Sequence, residues 1–103
     1  MDARLTAAEA QRFIRKLARD RSRISFSNHA IRRMAERRVV LEDVMRVLVR
    51  GSLSDGPHRA DYSEWTCKMI WRGPERAGLT VVVLVQTIEA NLLVKTVLWE
   101  ELQ

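Results

Sequence analysis

An α+β fold is predicted, with three helices packed on one face of a small, mainly antiparallel sheet in the order αβααββββ. Two observations predict it. The first half of the chain repeats apolar residues at helical spacing in three places, and the second half changes to a strand pattern, with three runs rich in Val, Leu, Ile and Trp. Three amphipathic helices need a common surface on which to bury their stripes; one face of a sheet supplies it and the other face stays partly open. At 103 residues, 47% of them hydrophobic, the chain fits a single domain spanning 1–103.

Thr6-Ala-Ala-Glu9 has capping-box spacing. Behind it Ala10, Phe13, Ile14 and Leu17 form an apolar stripe opposite Arg12, Arg15, Lys16 and Arg19, which predicts a first helix ending near Asp20. Arg23 to Ser27 alternates, with Ile24 and Phe26 on one side, as a short strand does. A second helix follows, with Ser27 or Asn28 able to cap its first turn. Leu41, Val44, Met45, Val47 and Leu48 predict a third, with Glu42 and Asp43 early, Arg46 and Arg50 late, and Gly51 as its stop. Gly51 to Pro57 reads as a loop and as the clearest break in the chain. Strands are then expected at His58 to Ser63, Trp65 to Trp71, Leu79 to Ile88 and Leu92 to Trp99, with hairpin connections at Arg72 to Gly78 and Glu89 to Asn91. Leu79 to Val85 is nearly continuously apolar, which places it centrally in an antiparallel meander with both faces covered.

Eighteen Lys and Arg against thirteen Asp and Glu give a net charge of +5, and fifteen of the eighteen cations are arginine. Arginine's planar fork grips phosphate through paired hydrogen bonds and stacks on bases, so the composition points to a polyanion such as RNA, although an arginine-rich genome produces the same bias. Cys67 is the only cysteine, which excludes an internal disulfide and a cysteine-based zinc site. His29 and His58 are too distant in sequence to mark a metal cluster, so no metal and no cofactor is expected. The start, MDARLTAAEAQ, lacks the apolar core of a signal peptide, and the longest apolar run falls far short of the roughly 20 residues of a membrane-spanning helix. A cytoplasmic protein without a membrane partner is the expectation.

The densest cationic motif is SNHAIRRMAERR, Ser27 to Arg38. At about 100° per residue, Ala30, Ile31, Met34 and Ala35 gather on one side, while His29, Arg32, Arg33 and Glu36 share the other, flanked by Arg37. One side buries and the other is free for anions. His29, Arg32, Arg33 and Arg37 are therefore the RNA-binding candidates, His29 lying close to the exposed N–H groups of a helix N-terminus. A structural His29 bonded to a neighbouring strand, with the arginines as a solvated face, is the alternative that the sequence leaves open.

Metal-free RNA cleavage needs a base for the 2′-hydroxyl, a donor to the leaving 5′-oxygen and cations against the charge on phosphorus. His58 suits either proton role, sits where loop becomes strand, and shares strand parity with Tyr62. Arg59 is a phosphate clamp of opposite parity, which joins that face only if the strand is bulged or begins later. Lys68 points away from the apolar series Trp65, Cys67, Met69 and Trp71, and Lys95 interrupts the last strand. Each either snorkels at a sheet edge or lines an open cationic surface. His58, Arg59, Tyr62, Lys68 and Lys95 are thus the catalytic candidates. Cys67 belongs to a buried row and has no acidifying partner to make it a nucleophile.

The chain resembles the RelE-like superfamily of small bacterial toxins, most closely the motility quorum-sensing regulator type of mRNA interferase. The resemblance rests on the element order, on VMRVLVRGSLSD passing from helix to loop, on YSEWTCKMIW entering the sheet, and on the closing VVVLVQTIEANLLVKTVLW. It implies metal-independent cleavage of RNA by attack of the ribose 2′-hydroxyl on the adjacent phosphate, restrained by a cognate antitoxin protein. A lysine of that family corresponds to Arg59 and a tyrosine to Tyr62, while a charged C-terminal residue falls near Trp99 and Glu100. Because arginine keeps its proton throughout the physiological range, Arg59 would stabilise a phosphorane rather than act as the base. FSNHAIRRMAERRV followed by LEDVMRVL is also similar to a small-domain family with a His-Ala-x-x-Arg-Met-x-Glu-Arg hallmark and no settled activity. The resulting expectation is a toxin-like endoribonuclease. The alternatives are a non-catalytic nucleic-acid- or protein-binding module of the same fold, favoured by arginine at position 59, and a structural domain that docks an acidic protein.

Overall fold

A computed structural model describes residues 4–102. Its elements run α1 (Ala7–Leu17), a 3-10 turn (Arg21–Arg23), β1 (Ile24–Phe26), α2 (Asn28–Glu36), α3 (Leu41–Arg50), β2 (Ser52–Asp61), β3 (Glu64–Ile70), β4 (Leu79–Gln86) and β5 (Asn91–Trp99). This is the expected α+β order of three helices and a mainly antiparallel sheet.

The helix starts follow from their caps. Thr6 Oγ1 accepts the Glu9 N–H at 3.1 Å and Glu9 Oε1 accepts the Thr6 N–H at 3.0 Å, which satisfies two donors that the first turn leaves over. Ser27 Oγ accepts the Ala30 N–H at 3.0 Å and so is the cap of α2. At α3 no side chain caps from Val40, but the Asp43 carboxylate accepts the Val40 N–H at 3.0 Å. Gly51 ends α3 in an extended rather than left-handed conformation. A Cβ there would lie 2.4 Å from the Val47 carbonyl oxygen and 2.7 Å from that of Ile70, so close approach of two backbones is what requires glycine.

The sheet order is β1-β5-β4-β3-β2, with β1 parallel to β5 and every other pair antiparallel. β4 is central, as its composition predicts. Leu79, Val81, Val83 and Val85 join Trp65, Cys67 and Met69 of β3, Leu92, Val94 and Val97 of β5, and Ile14, Val44, Val47 and Leu48 of the helices in one core. Alternation turns Thr66, Lys68 and Ile70 of β3 and Thr80, Val82, Leu84 and Gln86 of β4 to the opposite face, where Ile70, Thr80 and Leu84 are buried and the others half-buried. Among the described residues no helix is long and apolar enough to cross a membrane.

Three sequence expectations are corrected. α1 stops at Leu17, and a turn plus the 3-10 segment fills the space to β1. β4 stops at Gln86, leaving Ile88 in the following turn, 71% exposed. The largest change is β2, which starts at Ser52 and takes in most of the predicted loop. An edge strand needs only one ladder, and register shifts between Leu53 and Asp55, Asp55 and His58, and Arg59 and Asp61 accommodate its turn-forming residues. Gly56 adopts φ +93°, and a Cβ on it would meet the Thr66 carbonyl oxygen at 2.6 Å.

Both outer strands are partly closed by helix side chains. On the β2 side, Gln11 Oε1 accepts the Leu53 N–H at 2.9 Å and Arg15 donates to the Gly51 carbonyl from Nε at 3.0 Å and Nη2 at 2.6 Å. At the other edge, β1 covers only Leu92 to Val94 of β5. Further along, Ser27 Oγ donates to the Lys95 carbonyl at 3.1 Å and Arg37 donates to that of Val97. α2 thus packs against β5 and finishes its free edge.

Candidate nucleic-acid interface

A cluster of cations lies on α1. Arg12, Arg15, Lys16 and Arg19 recur at helical spacing, and together they line an open cleft of about 300 Å³. Burial of Ala10, Ile14 and Leu17 on the opposite stripe turns them outward. Arg15 is steadied by its bonds to Gly51, while Arg12, Lys16 and Arg19 make no hydrogen bond or ion pair among the described residues. The nearest carboxylates are engaged locally: Glu9 in the cap of α1, Asp20 with Ser22 and, at 3.7 Å, with Arg23. This cluster was legible as a helical stripe, but nothing in the sequence alone distinguished it from an ordinary solvated face.

On α2 the division between a buried and a free side is different from the expected one. Ala30 is buried and Met34 half-buried, but Ile31 is 55% exposed and Ala35 is exposed as well. Arg33 and Arg37 sit half-buried instead. Arg33 holds Glu36, keeping that carboxyl below its ordinary range chiefly through the hydrogen bond, and Arg37 holds the Val97 carbonyl. A helix lying along a sheet edge buries a narrow strip and must also supply donors to strand carbonyls, which Arg37 does. Only His29 and Arg32 of the four RNA candidates point freely to solvent.

The catalytic candidates divide between two sides of the sheet. His58 pairs with Thr66 in the ladder and shares its face, opposite the main core, where its Nε2 lies 3.0 Å from Asp55 Oδ1; the two side chains are 65% and 53% exposed. Lys68, opposite Asp55 in the ladder, is half-buried on the same face, with Nζ 3.9 Å from Glu100 Oε1. The His58 hydrogen bond, followed by the charges of His58 and Lys68, holds the Asp55 carboxyl below its ordinary range. Asp55 was missed in the sequence because it falls in the segment read as a loop.

Arg59 has the opposite parity. Its guanidinium lies 4.4 Å from the centre of the Trp65 ring and donates to the Tyr62 carbonyl at 3.0 Å. Tyr62 is beyond the end of β2, in the turn, and 82% exposed, so it does not share a strand face with His58. Lys95 is exposed on β5, with β4 between it and the strand that carries Lys68. The structure therefore unites His58 and Lys68, adds Asp55 and Glu100, and leaves Arg59, Tyr62 and Lys95 elsewhere.

Each tryptophan is engaged by an arginine: Trp71 by Arg46 at 5.8 Å, Trp65 by Arg59, and Trp99 by Arg76 at 4.9 Å. Their rings are structural rather than free stacking platforms. Burial, reinforced by the negative charge of Asp55, pushes the Cys67 thiol up to about 12, so this cysteine stays protonated and inert at neutral pH. Among the described residues no group of three or more His, Cys, Asp and Glu is placed to hold a metal ion.

A helix-covered α+β sheet with a cationic outer helix defines the class of domain. Residues 26–99 match the family described as Domain of unknown function (DUF4258), and the chain belongs to that family. No curated protein and no solved structure matches it. The matched region includes the motif around α2, whereas α1 and its cationic cleft lie before it.

Proposed function

We propose that this protein is a non-catalytic nucleic-acid-binding module that holds the sugar-phosphate backbone of RNA on the outer surface of α1. The observation that carries the reading is the cleft lined by Arg12, Arg15, Lys16 and Arg19, three of which make no hydrogen bond or ion pair among the described residues. Arginine forks grip phosphate oxygens in pairs, and the net charge of +5 raises the rate of encounter with a polyanion. A cytoplasmic setting, where RNA is at hand, belongs to this reading. Fluorescence anisotropy with single-stranded RNA in EDTA tests it. Four phosphate contacts at roughly 0.7 each should lower affinity about fiftyfold between about 50 and 200 mM salt, and the RNA should emerge intact. Binding that ignores salt over that interval would remove the case for phosphate recognition.

A second reading, toxin-like cleavage of RNA with an antitoxin protein as partner, is favoured by the His58–Asp55 contact with Lys68 on the same face and by the resemblance to RelE-like toxins. In that chemistry the 2′-oxygen forms a bond to phosphorus as the bond to the 5′-oxygen breaks, giving a cyclic phosphate and a free 5′-hydroxyl. His58, oriented by Asp55, would carry a proton, and Lys68 would offset charge on the phosphorane. RNA cut in EDTA by the wild type but not by His58→Ala or Lys68→Gln would establish it. Intact transcripts after incubation with the free wild-type chain would dismiss it.

A further inference from the structure

Where α1 ends, a second cleft of about 350 Å³ opens between Phe13, Lys16, Leu17, Asp20, Arg23 and Ala90. It shares Lys16 with the phosphate cleft, so the two adjoin along one side of α1. We propose that this second cleft receives one guanine base of the RNA strand, stacked on Phe13, with Asp20 accepting from its N1–H and N2 amino group and Arg23 donating to O6. The inference deepens the RNA-binding reading and rests on it.

The two clefts differ in kind. Arg12, Arg15, Lys16 and Arg19 present cations alone, which suits phosphate. The second cleft has apolar walls, Phe13, Leu17 and Ala90, and its charged lining, Lys16, Asp20 and Arg23, includes a carboxylate. A carboxylate repels phosphate, so the group received there must offer N–H donors together with an apolar face, and a base offers both. Phe13 is half-buried against the core, which fixes its ring while part of it faces the cleft. Asp20 is held in place through Oδ1, which accepts the Ser22 N–H at 3.0 Å and the Ser22 hydroxyl at 2.7 Å; Oδ2 lies 3.7 Å from Arg23 Nε, beyond hydrogen-bond distance and open to a donor. Arg23 Nη1 reaches the Glu89 carbonyl at 3.5 Å, so the guanidinium is tied to the β4–β5 turn with the carboxylate beside it. Guanine sets two adjacent N–H donors next to a carbonyl oxygen and so matches a carboxylate beside an arginine. Uracil flanks its one N–H with carbonyls, and adenine and cytosine put a ring acceptor where guanine has N1–H.

The test uses the purified full chain and compares, by fluorescence anisotropy at constant salt, a short uridine tract carrying one central guanosine with the same tract carrying adenosine or inosine. The guanosine tract should bind about tenfold tighter than the adenosine tract, the discrimination of one bidentate pair, with inosine between them because it lacks the N2 amino group. Asp20→Asn keeps a side-chain oxygen for the Ser22 N–H and removes a negative charge, so overall RNA affinity should hold or rise while the guanosine preference disappears. Phe13→Leu, shown folded by circular dichroism, should weaken the guanosine and adenosine tracts alike, by about tenfold, as loss of a stacking ring does. Arg12→Gln with Arg19→Gln should weaken every tract equally and preserve the preference, which separates the base cleft from the phosphate cleft. Equal affinity of the wild type for the three tracts, or a guanosine preference that survives Asp20→Asn, would overturn the base cleft and leave the phosphate reading standing. Loss of all RNA binding would remove both. Guanosine monophosphate competing as strongly as the guanosine tract would overturn the strand-borne base in favour of a free nucleotide.

Discussion

On α1, Arg12, Lys16 and Arg19 reach into solvent without a hydrogen-bond or ion-pair partner among the described residues, whereas on α2 Arg33 holds Glu36 and Arg37 holds the Val97 carbonyl. The two helices have similar cationic sequences, and position in the fold separates them. α1 buries a complete stripe, Ala10, Ile14 and Leu17, so its opposite side is free. α2 follows a strand edge beyond the short β1, where carbonyl groups would otherwise lack donors. An unsatisfied backbone group away from water is costly, so Arg37 is recruited into the fold, while Arg33 pairs locally with Glu36.

The contrast is most exposed to failure on the binding side. Replacing Arg12, Lys16 and Arg19 together by Gln should lower RNA affinity on the order of a hundredfold at low salt and reduce the salt slope by about 2, since each single-strand phosphate contact contributes roughly 0.7. Thermal stability should barely change. If Arg33→Gln and Arg37→Gln did equal damage to the binding of folded protein, the division between the helices would be wrong.

Next in size is Arg37→Ala, which leaves the Val97 carbonyl without its charged donor and should cost about 2 kcal/mol. In a domain of this size that is a fall in Tm of roughly 10 °C, read by calorimetry, with RNA affinity of the folded protein unaltered. An unchanged Tm would show the contact to be dispensable. Ser27→Ala, which removes both the cap of α2 and the bond to Lys95, should cost about 1 kcal/mol and more than Thr6→Ala at the wholly exposed cap of α1. Chemical denaturation of the two variants gives the ranking, and a larger loss at Thr6 would contradict it.

The smallest effect is with pH. Glu9, through its backbone and side-chain bonds with Thr6, and Glu36, through Arg33, are both held below the ordinary glutamate value of 4.5. A depressed folded value means that the unfolded chain binds protons more readily. The stabilisation is therefore complete above about 4.5 and declines as pH falls through and below that point. Urea midpoints should drop from pH 6 to pH 3, with the drop shallower in Glu9→Gln and in Glu36→Gln. A midpoint that rises on acidification would refute both contacts.

Much of the architecture was readable because it depends on neighbours a few residues apart. The Thr6–Glu9 box, the Ile24 and Phe26 alternation, the periodicity of α3 and the continuous apolar run of β4 each specify an element through local bonds and a repeating buried side. β2 resisted because Gly56 and Pro57 carry turn chemistry, and only pairing with β3 on one side makes an edge strand of them. The Asp55–His58 contact was hidden for the same reason: it exists only once the bulged strand brings residues three apart together. Tyr62 was misplaced by extending strand parity past Asp61, where β2 ends and the turn holding Tyr62 begins.

By itself the sequence determined the number and order of elements, the central place of β4 and the basic character of the surface, since propensity, capping and hydrophobic period act within a few residues and need no distant partner. Tertiary structure decided which of those charges remain available. Whether Arg37 meets a solvent ion or the Val97 carbonyl, and whether Ile31 faces the core or an open groove, depends on β5 arriving beside α2 from sixty residues further along the chain. A hydrogen-bond vacancy at a sheet edge has no local signature in the helix that fills it.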